Sequence, residues 1–128
     1  MKPLTKEWVE KAEGDFGSAN RELRARKSPN YDSACFHSQQ CAEKYLKARL
    51  QESNIRFAKT HDLEELINMC LPVEPLWIAL LPSAKVLNDF AVLIRYPGRT
   101  ANKPQARDAV KRCADFRSFV RQSLGLKV

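Results

Sequence analysis

Tyr31-Asp32-Ser33-Ala34-Cys35-Phe36-His37-Ser38-Gln39-Gln40-Cys41-Ala42-Glu43-Lys44-Tyr45-Leu46-Lys47-Ala48 carries an unbroken helical pattern. Ala34, Cys35, Cys41, Ala42, Tyr45 and Leu46 recur at three- and four-residue steps and draw one broad apolar arc. The pattern predicts a helix from about Tyr31 to Glu52. Phe36 and Leu50 point away from the arc, so this helix is expected to be covered on more than one side and to form the centre of a bundle.

The flanking segments read the same way. From Thr5 to Arg26, Trp8, Ala12, Phe16, Ala19 and Leu23 fall on one stripe, with Thr5 as the expected N-cap. Gly14 and Gly17 weaken this helix, and are either tolerated or admit a close neighbour. Lys27-Ser28-Pro29-Asn30 ends it. After a connector over Ser53 to Lys59, a short helix runs from Asp62 to Cys70. Pro75 then opens a helical turn through Leu81, and Pro82 starts or kinks a further helix that stops at Arg95-Tyr96-Pro97-Gly98. Pro104 suits the first turn of a last helix reaching Leu124, with Gly125 as its stop. No segment alternates like an exposed strand. The expected fold is all-α, an antiparallel up-and-down bundle of four to five helices over one domain, residues 1–128.

Composition narrows the classes. Hydrophobic residues make up 44% of the 128 and charged residues 29%, a balance that supports a packed core and excludes a disordered tail. No apolar run is read as approaching the roughly 18 residues that cross a bilayer, and no signal peptide is evident. A soluble cytoplasmic protein without membrane association is expected. Cys35, Cys41, Cys70 and Cys113 form no CxxC pair and read as small buried hydrophobes rather than a disulfide framework. Two histidines are too few and too separated for a metal centre, and neither GxxxxGK(S/T) nor GxGxxG is present, so no metal or cofactor is expected. The net charge of +7 favours an anionic partner.

Several positions could carry chemistry. His61 sits before Asp62 at the start of the third helix, where it either moves a proton or binds phosphate, or holds the loop while Thr60 or Asp62 caps the helix. Arg95 and Tyr96 stand where the fourth helix stops. Arginine matches phosphate with a planar fork and tyrosine stacks on bases, whereas the structural alternative has Arg95 bonding its helix's last carbonyls. His37, Gln40, Lys44 and Lys47 share one side of the central helix, lining either a ligand cleft or dimer seam, or a solvated face in which Glu43 pairs with Lys47. Lys103, Arg107, Lys111 and Arg121, with Arg112 and Arg117 nearby in angle, give the last helix a basic flank that either meets a partner or is simply solvated.

Three stretches together resemble the HEPN domain (higher eukaryotes and prokaryotes nucleotide-binding). Trp8-Val9-Glu10-Lys11-Ala12-Glu13-Gly14-Asp15 is similar to the family's opening W-x-x-K-A-x-x-D. The central helix is similar to A-C-F-x-x-Q-Q-x-A-E-K-x-L-K-A. Lys59-Thr60-His61-Asp62-Leu63 and Arg95-Tyr96-Pro97-Gly98 complete the likeness. The resemblance implies a helical bundle, often a homodimer, frequently paired with a minimal nucleotidyltransferase in toxin–antitoxin-like gene pairs. Some relatives cut RNA and others bind without catalysis. The ribonuclease branch places a histidine after an arginine and four to six intervening residues, near the start of a late helix, but the matching positions after Arg95 hold Thr100, Ala101 and Asn102. One literal match, Arg56-Phe57-Ala58-Lys59-Thr60-His61, lies in the connector instead. The resemblance therefore points first to a non-catalytic module for a nucleotide, RNA or partner protein, with Arg95, Tyr96, His61, Lys59, His37, Lys44 and Lys47 as candidate binding residues. The alternative is a metal-independent RNA endonuclease using His61 with Arg56 or Arg95.

Overall fold

Side chains at the helix starts set where each element begins. In the computed structural model, which describes all residues 1–128, the order is α1 (Pro3–Arg24), α2 (Tyr31–Glu52), α3 (Leu63–Cys70), a 3-10 turn (Pro75–Leu80), α4 (Leu81–Leu93) and α5 (Lys103–Ser123), with no strand. Asn30 caps α2 by accepting from the Ser33 N–H at 2.9 Å. Asp62 caps α3 through the Glu64 N–H at 3.0 Å. Asn102 and Gln105 form a reciprocal capping box at the start of α5. Pro82 occupies the first turn of α4, where a missing N–H costs nothing. Gly125 stops the chain after α5 in the left-handed region, φ 73°.

The start of α1 departs from the sequence expectation. The helix begins at Pro3, two residues before Thr5, and Lys2 stands at the cap position without a side-chain cap. Glu52, at the end of α2, serves instead: its Oε1 accepts from the Lys2 N–H at 3.0 Å and from the Thr5 hydroxyl at 2.9 Å. The cap comes from a residue distant in sequence, so the local pattern could not display it. The Glu52 carboxyl is accordingly held below its ordinary range, chiefly by the Lys2 N–H.

Helix directions follow from these ties. α1 runs antiparallel to α2, since Lys2 meets Glu52 while the Asn30 N–H donates to Glu22 at the opposite end. α5 runs alongside α2 in the same sense: the Ala101 N–H donates to Asp32 at 2.6 Å near one end, and Arg49 bonds Ser123 at 2.9 Å near the other. α4 brings the chain back, giving a five-helix up-and-down bundle around α2. Tyr45, Leu46, Leu50, Leu63, Leu66, Ile67, Leu87 and Phe116 are wholly buried within one continuous core. Each such aliphatic side chain contributes about 1.5–3 kcal/mol of transfer free energy.

Two further readings are corrected here. The segment Pro75–Leu93 spans 19 residues, with a mean hydropathy of 1.4, and is long and apolar enough to cross a membrane by length and composition. The eye misses it because Pro75, Pro82, Lys85 and Asp89 interrupt the apolar residues. In the fold it divides into the 3-10 turn and α4, and buries Trp77, Leu80, Ala84, Leu87 and Ala91 against the core. The side of α2 bearing His37, Gln40, Lys44 and Lys47, read as a cleft, a dimer seam or a solvated face, is not a fully solvated one, with Lys47 only 5% exposed. α1 and the connector after α2 cover the side of α2 that the sequence left open.

All four cysteines are buried and unbridged. Burial, with smaller contributions from nearby carboxylates, pushes the Cys35 thiol up to about 12, and burial likewise pushes Cys70 up to about 12. Below about pH 9 these thiols are protonated in both folded and unfolded chains. Above it the unfolded chain ionises first, so folding stability should fall by roughly 1.4 kcal/mol per pH unit for each thiol until the folded thiols also titrate. Urea midpoints across the alkaline range should show this fall, and replacing Cys35 and Cys70 with alanine should lessen it, leaving the part due to Cys41 and Tyr45, whose protons burial also holds. At Gly14 an added Cβ would meet nothing within 4 Å. Gly14→Ala should therefore raise stability by about 0.5–1 kcal/mol in the same measurement, and a loss would show that this helix face is covered.

Candidate functional site

Glu43 points from the middle of α2 into the protein and is 3% exposed. A buried carboxylate needs compensation on all sides. One oxygen, Oε2, accepts from Lys47 Nζ at 3.0 Å, one helical turn away. The other, Oε1, lies 2.8 Å from His61 Nδ1, with longer contacts at 3.4 Å and 3.5 Å from the Gln39 and Gln40 amides. Lys47 is enclosed in turn, its ammonium 5.5 Å from the Trp8 ring centre and 5.9 Å from that of Phe57. Trp8 and Phe57 meet edge to face at 6.0 Å, so the aromatic pair roofs the ion pair.

The loop carrying His61 is fixed from both sides. Gln39 donates to the His61 carbonyl at 2.8 Å, and the Asp62 N–H donates to the Thr60 hydroxyl at 3.2 Å. Asn88 on α4 accepts from the Leu63 N–H at 3.2 Å and donates to Asp62 at 2.9 Å. Both structural roles foreseen for this loop, capping by Asp62 and tethering of His61, are present. They do not consume the imidazole, whose side chain is 67% exposed. Nδ1 is engaged by Glu43, and Nε2 is the ring nitrogen left without a partner in the chain.

His61 opens onto a cavity of about 320 Å³ whose walls include Gln39, Asp62, Asn88, Val92 and Arg95. Arg95 is exposed, and its guanidinium makes no hydrogen bond or ion pair, so the alternative in which it bonds its helix's last carbonyls is not realised. An exposed imidazole and an unpaired guanidinium thus share one cleft with α2. Arg56 does not join them; it lines a separate groove with Gln51, Asn54, Ile55 and Phe57. Tyr96 is 62% exposed just beyond the cleft, and Lys59 is exposed in the loop before His61.

His37 and Lys44 lie elsewhere, between α1 and α2. Both hold Asp15, at 2.7 Å and 2.6 Å respectively, and Asp15 is 8% exposed. On α5, Arg117 and Arg121 converge on Glu13, each at 2.8 Å, and Glu13 also takes the Tyr45 hydroxyl. Arg117 additionally stacks 4.8 Å over Phe16. Two of the six residues of the basic flank of α5, Arg117 and Arg121, are therefore committed to holding α5 against α1.

Glu43 is the residue that sequence reasoning assigned only to Lys47. Its second role, orienting His61, depends on where a loop 18 residues later returns. The i, i+4 spacing of Gln39 and Glu43 marks one polar patch within an apolar helix, and that patch was the available signal.

Removing one member of a buried ion pair leaves the other uncompensated. Glu43→Gln should lower stability by about 3–5 kcal/mol, and Glu43→Gln with Lys47→Met should recover much of the loss. Urea unfolding of the two variants tests this; equal losses would show that the pair carries no coupling.

Comparison with known proteins agrees with this fold. Residues 5–123 match the model of the HEPN domain. The crystal structure of ST0689, an archaeal HEPN homologue, superposes with a TM-score of 0.73 at 26% identity, covering 96% of this chain and 98% of that one. TT1696 from Thermus thermophilus has the same fold, with a TM-score of 0.73 at 24% identity over 92% of this chain and 96% of its own. No protein of curated function matches. With the family model spanning almost its whole length, the chain belongs to the HEPN domain family.

Proposed function

We propose that the protein binds RNA at the cleft between α2, α3 and α4 and cleaves it, with His61 as the proton-transferring group and Arg95 as the phosphate ligand. The observation that carries this reading is the buried Glu43 carboxylate 2.8 Å from the Nδ1 of an exposed histidine on a cavity shared with Arg95. In the proposed reaction Nε2 takes the proton of a 2′-hydroxyl, and the freed oxygen attacks the adjacent phosphorus. Arg95 stabilises the charge that gathers on the phosphoryl oxygens as the bond from phosphorus to the 5′-oxygen breaks, the leaving oxygen taking a proton from water and a 2′,3′-cyclic phosphate remaining. Glu43 stabilises the imidazolium formed on the way, as a buried carboxylate does for a catalytic histidine elsewhere.

A second reading is favoured by Thr100, Ala101 and Asn102, which stand where the family's ribonucleases carry their histidine. In it the same cleft binds a nucleotide or RNA without chemistry, and the protein acts as a homodimer beside a minimal nucleotidyltransferase in a toxin–antitoxin-like pair.

RNA incubated in EDTA with wild type, His61→Ala and Arg95→Ala separates the two. The first reading expects cleavage by wild type and a loss of roughly 100-fold or more in rate in His61→Ala, the scale of general acid–base assistance. Undiminished cleavage by His61→Ala would overturn it, and absence of cleavage by every form would leave the binding module as the function.

A further inference from the structure

The bundle has one cationic end. The α1–α2 turn and the α4–α5 loop meet there, tied by the Ala101 N–H to Asp32. Between residues 21–32 and 95–111 the chain carries nine lysines and arginines against three acids. That excess accounts for nearly all of the +7 net charge.

On the α1 side, Arg21, Arg24, Arg26 and Lys27 are all exposed and none reaches a carboxylate. Arg21 and Arg24 border a groove of about 590 Å³ whose floor includes Phe16 and Gly17. On the other side, Arg99, Lys103, Arg107 and Lys111 are equally exposed and equally free of ion pairs. Elsewhere the arginines and lysines of helix interfaces find partners, as Arg49 does with Glu74 and Arg112 with Asp108.

Folding alone does not favour this placement. Arg21 and Arg24 suit the negative end of α1. Lys103 and Arg107 do not suit α5, because they crowd its positive end, and the first turn there holds no acid. The N-terminus of α2 opens at the same end, so two positive helix termini add to eight unpaired cations. A polyanion relieves that repulsion. The surface is also continuous with the cleft, since Arg95 lines the cavity and begins the loop that bears Arg99.

We propose that this end is a docking platform for the phosphate backbone of RNA, seating a strand so that it passes into the His61 cleft. The choice of RNA over an acidic protein rests on the reading of the cleft given above. It is supported by the predominance of arginine, whose guanidinium fits phosphate with paired donors.

The test is binding of a fluorescent 2′-O-methyl oligoribonucleotide, which lacks the attacking hydroxyl, followed by anisotropy over a range of salt. Because this strand cannot be cut, the outcome is independent of whether His61 is catalytic. Three variants remove equal charge: R24Q/R26Q/K27Q and K103Q/R107Q/K111Q at the cationic end, and K6Q/K11Q/K127Q away from it. All replaced side chains are exposed and free of ion pairs, and circular dichroism checks that each variant keeps the fold. Each cationic-end variant should weaken binding about tenfold or more and flatten the salt dependence by about 2 in log–log slope, while the third binds like wild type. Equal weakening by all three would mean that only overall charge matters and would overturn the platform. Failure of wild type to bind the strand, with retention of poly-glutamate that the two cationic-end variants lose, would replace RNA by an acidic protein. Failure to bind either polyanion would also overturn the proposal.

Discussion

A carboxylate buried at the centre of a helical bundle is the constraint around which this molecule is arranged. Glu43 is compensated there by Lys47 at 3.0 Å and by His61 at 2.8 Å. Those two partners impose demands of their own. The Lys47 ammonium is sheltered by Trp8 and Phe57, which fixes α1 and the start of the connector against α2. His61 is held at the mouth of a cavity by the loop tethers from Gln39 and Asn88. One charge in the core thereby sets the position of three separate chain segments.

The same arrangement links folding to chemistry. A buried carboxylate is costly, and replacing such pairs with apolar side chains is often neutral or stabilising. Its presence behind an exposed imidazole gives it a use that hydrophobic packing would not supply: it engages Nδ1 and leaves Nε2 without a partner in the chain. Asp15 with His37 and Lys44 shows a second acid between cations, and Glu13 with Arg117, Arg121 and Tyr45 a third. Asp15 and Glu13 each draw in two or more donors from other helices, whereas Glu43 takes Lys47 from its own helix and His61 from the loop before α3. α1 is attached to the bundle as much by these clusters as by its apolar stripe.

Charge is therefore divided by location. Arginines and lysines at helix interfaces are neutralised by Glu13, Asp15, Glu43 and Glu74. The surplus lies at the end where α2 and α5 begin. That separation is invisible in the net charge, because the linear sequence places the two halves of the cationic end some seventy residues apart, as Asp32 and Ala101 show.

Helix content, the limits of α2, the breaks at Pro29 and Pro82 and the stop at Gly125 were legible in the sequence, because periodicity, caps and backbone restrictions act within a few residues. The burial of the four cysteines and the i, i+4 pairing of Glu43 with Lys47 were legible for the same reason. What tertiary structure alone decided was every contact made across the chain: the capping of α1 by Glu52, the enclosure of Lys47, the choice of Arg95 rather than Arg56 as the neighbour of the His61 cleft, and the use of Glu43 to orient His61. Side-chain chemistry announces that a carboxylate or a histidine needs a partner. Which partner it receives depends on how the helices pack, and packing is set by the whole core at once.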